Sequence, residues 1–154
     1  MNPIKHILFV CTGNACRSVL AEYYFHKQSS ELGIIDAVAS SAGISASPFF
    51  KVPGVVIRLL QREGIRFMDH KPISLTQDHM DEADLVCCME THHLQTLLTR
   101  FPTSEKKIVQ LYEYAFGRKK DIVDPIGQND LIFEFCFKDI KNCINEILIN
   151  RLNK

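Results

Sequence analysis

Residues 4–18 constrain the fold more than any other stretch. Ile4-Lys5-His6-Ile7-Leu8-Phe9-Val10 is a mostly apolar run of strand length that ends at Cys11, the pattern of a strand covered on both faces. Thr12-Gly13-Asn14 is turn chemistry. From Ser18 to Leu32, apolar residues fall at Leu20, Ala21, Tyr24, Phe25 and Leu32, compatible with one face of a helix that Gly33 stops. A buried strand feeding a tight loop and then a helix is half of a parallel βαβ unit.

The same alternation continues. Ala37–Ala42 reads as a second strand ending at Gly43, and Pro53 opens a helix carrying Val55, Val56, Leu59 and Leu60 before Gly64. Leu75–Ala83 predicts a short helix, Asp84–Met89 a buried strand, Thr91–Arg100 a helix and Lys107–Leu111 a fourth strand. Tyr112–Asn129 reads as a long polar connection. A last helix carries Phe133, Cys136, Ile140, Cys143, Ile144, Ile147 and Leu148 at helical spacing. The expectation is an α/β fold of one domain over 1–154, with helices on both faces of an open parallel sheet. Ligands then bind beyond the carboxyl ends of the strands.

Composition narrows the partners. Eighteen basic residues balance eighteen acidic ones, so the chain lacks the basic footprint of a nucleic-acid binder. No apolar run has the ~18 residues of a membrane span, and the N-terminus lacks a signal-peptide profile. A cytoplasmic protein is expected, with no nucleic-acid or membrane partner, acting as a monomer with at most weak self-association. The six cysteines are then free side chains rather than disulfide staples.

Cys11-Thr12-Gly13-Asn14-Ala15-Cys16-Arg17-Ser18 lies between the first strand and the first helix. There, unpartnered backbone N–H groups and the helix dipole favour an anion. The five residues separating Cys11 from Arg17 suffice to wrap the backbone of Thr12, Gly13, Asn14, Ala15 and Cys16 around a tetrahedral oxyanion, with Gly13 and Asn14 taking conformations other residues resist. Arg17 closes the ring with a planar fork that holds two phosphate oxygens. A thiol in such surroundings is favoured as a thiolate, and a thiolate facing a phosphoryl group is a nucleophile. A nucleotide P-loop does not fit, because the Gly-Lys-Ser/Thr ending is absent.

The run Val10–Ser18 resembles the signature of the low-molecular-weight protein tyrosine phosphatases. The resemblance extends through Ser41-Ala42-Gly43, Ala83-Asp84-Leu85-Val86 and Asp124-Pro125. It implies a three-layer αβα fold whose four-stranded parallel sheet has the flavodoxin-like order 2-1-3-4. It also implies phosphoprotein substrates, a cysteinyl-phosphate intermediate, and neither metal nor cofactor. By the same resemblance, Cys11, Arg17 and Asp124 are catalytic, with Asp124 the general acid. Ser18 and Asn14 support the thiolate and the loop, and Cys16 is a redox partner of Cys11. Pro125 stiffens the backbone that aims Asp124; Asp121 and Asp130 are nearby rivals that do not match the Asp-Pro position.

Three positions depart from the commonest family pattern. Val19 replaces a proline. Ala15 stands where tyrosine-specific members have isoleucine and the related protein-arginine phosphatases have threonine. Ile126-Gly127 follows Asp124-Pro125 where many tyrosine phosphatases have aromatics. Ser45-Ala46-Ser47-Pro48 resembles the bacterial branch that includes arginine phosphatases. Phosphotyrosine is the expected substrate, with phosphoarginine the alternative. Phe49, Phe50 and Ile126 are candidate pocket walls, with core packing an equal alternative for the two phenylalanines.

Two further alternatives are a thioredoxin-coupled arsenate reductase, whose downstream cysteine spacing Cys87-Cys88 does not reproduce, and a non-catalytic phosphoprotein-binding module. A zinc site drawing on Cys11, Cys16, Cys87, Cys88 and His92 or His93 lacks a Cys-x-x-Cys pair. Cys87, Cys88, Cys136 and Cys143 are expected in the core, and His92-His93 at the surface start of a helix. Arg118-Lys119-Lys120 reads as a solvated loop.

Overall fold

The computed structural model describes residues 3–152; the two residues at each end of the expected 1–154 domain lie outside the described residues. Four strands, β1 (His6–Cys11), β2 (Val38–Gly43), β3 (Leu85–Cys88) and β4 (Ile108–Gln110), form one sheet of order β2-β1-β3-β4. Every pairing is parallel, which requires a crossover between successive strands. The chain supplies helices for these: α1 (Arg17–Glu31), α2 (Gly54–Arg62), α3 (Gln77–Glu82), α4 (Thr91–Arg100), α5 (Leu111–Phe116) and α6 (Asp130–Ile147). The expected αβα architecture and strand order hold.

Side-chain alternation along β1 divides the interior into two layers. Ile7 and Phe9 point into one core with Leu20, Phe25, Leu60, Phe137 and Ile140. Leu8 and Val10 point into the other with Met80, Val86 and Leu97. Adjacent Cys87 and Cys88 in β3 fall one into each layer, as the two-residue strand period requires. Burying one large apolar side chain contributes about 1.5–3 kcal/mol, so β1, buried from Ile7 to Cys11, is the spine of both layers. Its two neighbours are reached by crossovers in opposite directions. The crevice beyond its carboxyl end is therefore the switch point where ligands bind in such sheets.

One expectation fails clearly. The polar connection expected over Tyr112–Asn129 begins with a helix, α5, whose Leu111, Tyr112 and Ala115 are buried. It ends at Gly117, whose φ of 76° suits a left-handed cap. No Gly, Pro or other turn residue separates Ile108-Val109-Gln110 from Leu111-Tyr112, so periodicity alone could not divide strand from helix. Leu111 accordingly leaves the expected fourth strand, and a 3-10 turn at Pro102–Lys107 precedes β4. Helix α6 continues past Ile147 into a π-type turn, Leu148–Leu152. No described helix is long and apolar enough to cross a membrane.

Candidate active site

The segment Thr12–Cys16 links β1 to α1, and its shape is set by groups distant in sequence. Asn14 takes the left-handed conformation, φ 54°. It is held there by its own side chain, which is buried. Nδ2 donates to Ser18 Oγ at 2.8 Å and to Ser41 Oγ at 2.9 Å. Oδ1 accepts the Ile73 N–H at 2.9 Å, and His70 Nε2 lies 3.0 Å from the Asn14 carbonyl and 3.1 Å from Oδ1. All the hydrogen-bonding capacity of the amide is engaged, which offsets the uncommon backbone conformation.

Gly43, paired with Cys11 across the sheet, carries the loop on its bare backbone. A Cβ there would lie 2.7 Å from the Thr12 carbonyl oxygen and 2.9 Å from the Asn14 nitrogen. The loop carbonyls turn outward, Cys11 and Thr12 accepting from Ile44 and Ser45. Among the described residues, the N–H groups of Gly13, Asn14, Ala15 and Cys16 have no protein acceptor. Free amides at the start of a 15-residue helix form an anion-binding nest.

Cys11 is 3% exposed, and its Sγ is 3.0 Å from Ser18 Oγ. Ser18 already accepts from Asn14, so its own O–H is free to donate to a thiolate. The chain Asn14 to Ser18 to Cys11 thus has one direction.

Arg17 is 2% exposed. Its Nη1 donates to Glu90 Oε2 at 2.6 Å and to the Ile122 carbonyl at 2.7 Å. Both hydrogens of Nη1 are engaged, which leaves the Nε and Nη2 edge for a ligand. Burial works against the guanidinium charge, but the Glu90 bond and the neighbouring Cys11, Glu90 and Asp124 outweigh it and raise its pKa. Burial likewise disfavours the Glu90 carboxylate, and the Arg17 bond overrides that to hold it below its ordinary range.

Asp124 comes to the same place from the other side. Its Oδ2 is 3.9 Å from Arg17 Nη2, and its side chain is 43% exposed. Its Oδ1 accepts the Ile126 N–H at 3.0 Å. Asp121, the rival carboxylate, is committed elsewhere: Oδ1 accepts from the Thr91 N–H, the Thr91 hydroxyl and Gln110 Nε2 at 2.9, 2.9 and 2.7 Å. Burial would raise its pKa, but these donors prevail and lower it, which suits an anchor and not a proton donor. Asp130 pairs with Arg58 at 3.3 Å on the surface.

The candidate walls separate. Phe50 leans on the loop: a Cβ on Gly13 would meet its ring at 3.2 Å. Phe49 is 87% exposed and Phe50 is also exposed, so neither is packed in the core. Ile126 is exposed beside Asp124, and Ala15 is buried within the loop.

His93 corrects another expectation. His92 is exposed, but His93 is buried and braces the loop. Its Nδ1 accepts the Glu90 N–H at 3.1 Å, so its Nε2 carries the proton and donates to Thr12 Oγ1 at 2.8 Å. Burial, then the Arg17 and His92 charges, push its pKa down to about 4. The donor atoms of Glu90, His92 and His93 lie within 4.8 Å of one another. Coordination through His93 Nε2 would require the proton to sit on Nδ1 against the Glu90 N–H, and Glu90 is already held by Arg17, so the trio does not fit a metal ion.

Cys16 is a buried free thiol whose pKa is raised, first by burial and next by Cys136. Cys136 and Cys143 lie in the core. Arg118 and Lys120 are not simply solvated: both lie over the Tyr112 ring, and Lys120 pairs with Asp139 at 3.2 Å.

Glu90, His70 and Ser41 escape sequence reasoning as site residues, and His93 is considered there only as a surface residue or zinc ligand; Glu90 and His93 reach the site from the start of α4, Ser41 from β2 and His70 from the connection between α2 and α3. One signal bears on Glu90: it follows a strand at the sheet edge where ligands bind.

The low molecular weight phosphotyrosine protein phosphatase family model matches residues 6–154. A protein-arginine-phosphatase of Bacillus subtilis is 33% identical, covering 92% of this chain and 93% of that one. The human low molecular weight phosphotyrosine protein phosphatase is 29% identical, with 94% of each chain covered. Among solved structures, a YwlE mutant from Bacillus subtilis superposes with TM-score 0.90 at 31% identity, covering 97% of this chain and 99% of that one. A low molecular weight protein tyrosine phosphatase from T. tengcongensis gives 0.88 at 33% identity, with 94% and 98% covered. The chain belongs to the low molecular weight phosphotyrosine protein phosphatase family.

Proposed function

We propose that this chain is a single-domain phosphoprotein phosphatase that works through a cysteinyl-phosphate on Cys11. The observation that carries the reading is the buried chain from Asn14 through Ser18 to Cys11 Sγ beneath a ring of unpaired amides. The amides of Thr12 through Cys16 and the free edge of Arg17 bind the equatorial phosphoryl oxygens. Cys11 Sγ attacks phosphorus in line with the leaving oxygen. As the S–P bond forms and the P–O bond breaks, Asp124 gives its proton to that oxygen. Water then attacks phosphorus, Asp124 takes its proton, and the S–P bond breaks with the thiolate stabilised by Ser18. Every role is filled by a protein group, so neither metal nor cofactor enters the scheme. The free thiol of Cys11 suits a reducing cytoplasm, and Cys16 is placed in sequence to trap an oxidised Cys11 as a reversible disulfide.

Phosphotyrosine is our first reading for the substrate: the Phe50 face and aliphatic Ile126 offer apolar surface to a phenyl ring. Phosphoarginine is the second, supported by the 33% identical protein-arginine-phosphatase. Arsenate reduction is disfavoured because Cys87 and Cys88 are both buried in β3. The test is release of phenol from aryl phosphates without added metal, by the wild type and by Cys11→Ser. The variant is expected to lose turnover while still binding inorganic phosphate. Full activity in the variant would end the proposal, and an inactive wild type that binds phosphopeptides would identify a binding module. Phosphotyrosine and phosphoarginine peptides assayed on one preparation then decide the substrate.

A further inference from the structure

The proposed acid sits on a segment with few attachments. Between Val123 and Asn129, the polar contacts are local: Ile126 N–H to Asp124, Gln128 N–H to the Pro125 carbonyl at 2.9 Å, and the α6 cap, where Asn129 accepts from Ile132. Val123 is 66% exposed, so packing does not hold the segment at that point. Among the described residues, the one polar link outward is the 3.9 Å approach of Asp124 to Arg17, and Pro125 is the one buried residue of the segment.

Immediately upstream the situation reverses. Ile122 is buried, its N–H donates to the Met89 carbonyl at 2.9 Å, and its carbonyl accepts from Arg17. One residue earlier, a single oxygen of Asp121 collects the backbone and hydroxyl donors of Thr91 and the amide of Gln110. Thr91 opens the ten-residue α4, where the helix dipole favours a carboxylate. Gln110 is buried at the end of β4. Its Oε1 has no partner among the described residues, while its Nε2 is spent on Asp121.

We propose that Asp121 is the positioning residue for Asp124: it fastens the acid-bearing segment to the start of α4 and the end of β4, three residues ahead of the carboxyl group it aims. This rests on the phosphatase reading. A displacement near 1 Å at a reacting group costs about 10²-fold in rate. Loss of the anchor therefore lowers proton donation without touching the oxyanion loop.

The test compares kcat/KM for phenyl phosphate, which needs leaving-group protonation, with that for dinitrophenyl phosphate, which needs it little. Asp121→Ala is expected to lower the first by about tenfold to a hundredfold and the second by about twofold, with inhibition by inorganic phosphate unchanged. Asp121→Asn, which keeps an acceptor oxygen in place, is expected to recover most of the loss. In an Asp124→Asn background, Asp121→Ala is expected to add nothing, because the two act through one group. Equal losses on both substrates, or a full additional loss in that background, would make Asp121 a mere structural prop. If Asp121→Ala fails to fold, Asp121→Ser is carried through the same cycle with the same two outcomes. A wild type inactive on both substrates refutes the phosphatase reading itself, a result distinct from either.

Discussion

The two loops that meet at Arg17 are built on opposite plans. The oxyanion loop is gripped throughout: Asn14 is bonded to Ser18, Ser41, Ile73 and His70, Thr12 to His93, and the backbone rests on Gly43. The acid segment is fastened at Asp121 and Ile122, and beyond that only Pro125 is buried while Val123, Asp124 and 126–129 are exposed. A nest for an oxyanion has value only if its donors are already aimed when charge develops. A group that first gives and then takes a proton must instead meet leaving groups of different shape and admit water. In the proposed mechanism, rigidity is concentrated where charge is stabilised, and freedom is left where protons move.

That contrast can be broken by mutation. Changes in the acid segment should reduce rate alone, and changes in the oxyanion loop should reduce stability and anion affinity together. The largest effect is expected for Asp124→Asn: a loss of about 10²–10⁴ in kcat for phenyl phosphate, smaller for dinitrophenyl phosphate, with melting temperature and phosphate inhibition unchanged. Equal slowing of both substrates would remove the acid role.

Next comes Gly43→Ala. The added methyl meets backbone that cannot rotate away, and overpacking of this kind costs about 1–3 kcal/mol. Denaturant unfolding should show the loss, and inorganic phosphate should inhibit more weakly. Unaltered phosphate affinity would mean that the loop does not depend on its seat. Ser18→Ala should slow breakdown of the phosphoenzyme about tenfold to a hundredfold, since a hydrogen bond to a charged group contributes about 1.5–3 kcal/mol. A pre-steady-state burst larger than that of the wild type would display it.

The effect with the least bearing on turnover concerns pH. The folded-state pKa of His93 lies below the ordinary ~6.5, at about 4, so the folded protein resists protonating it. Its contribution to stability is complete above the unfolded value and is lost as pH falls through that interval. Wild-type stability should therefore decline from about pH 6.5 to about pH 4, and His93→Gln should flatten that part of the curve. A parallel decline in both proteins would put the acid sensitivity elsewhere.

What the sequence disclosed follows the range of the interactions involved. The strand, turn and helix at residues 4–18 are local, and periodicity with turn chemistry defines them. The Cys11-to-Arg17 spacing, which carries the anion-site reading, is legible for the same reason. Helix α5 was hidden because Leu111 and Tyr112 follow the short strand Ile108–Gln110 directly, with no turn residue between, and only its burial pattern and Gly117 mark it. The partners of the loop were hidden by distance: Glu90 meets Arg17 across 73 positions of sequence, and His93 meets Thr12 across 81. A charged residue followed by paired histidines reads as surface until the fold carries one of them inward. Phe50 shows a third limit, since its placement over Gly13 depends on the path of the whole segment after β2.

The seat at Gly43 bears on protein engineering. Moving Val10–Ser18 into another strand–loop–helix unit would transfer Cys11, Arg17 and Ser18. It would not transfer the bare patch of neighbouring strand on which the backbone is moulded, nor the donors at Ile73 and His70. A portable version of this motif has to include a second strand ending in glycine, held in parallel register with the first. The smallest transferable unit of the site is therefore a piece of sheet.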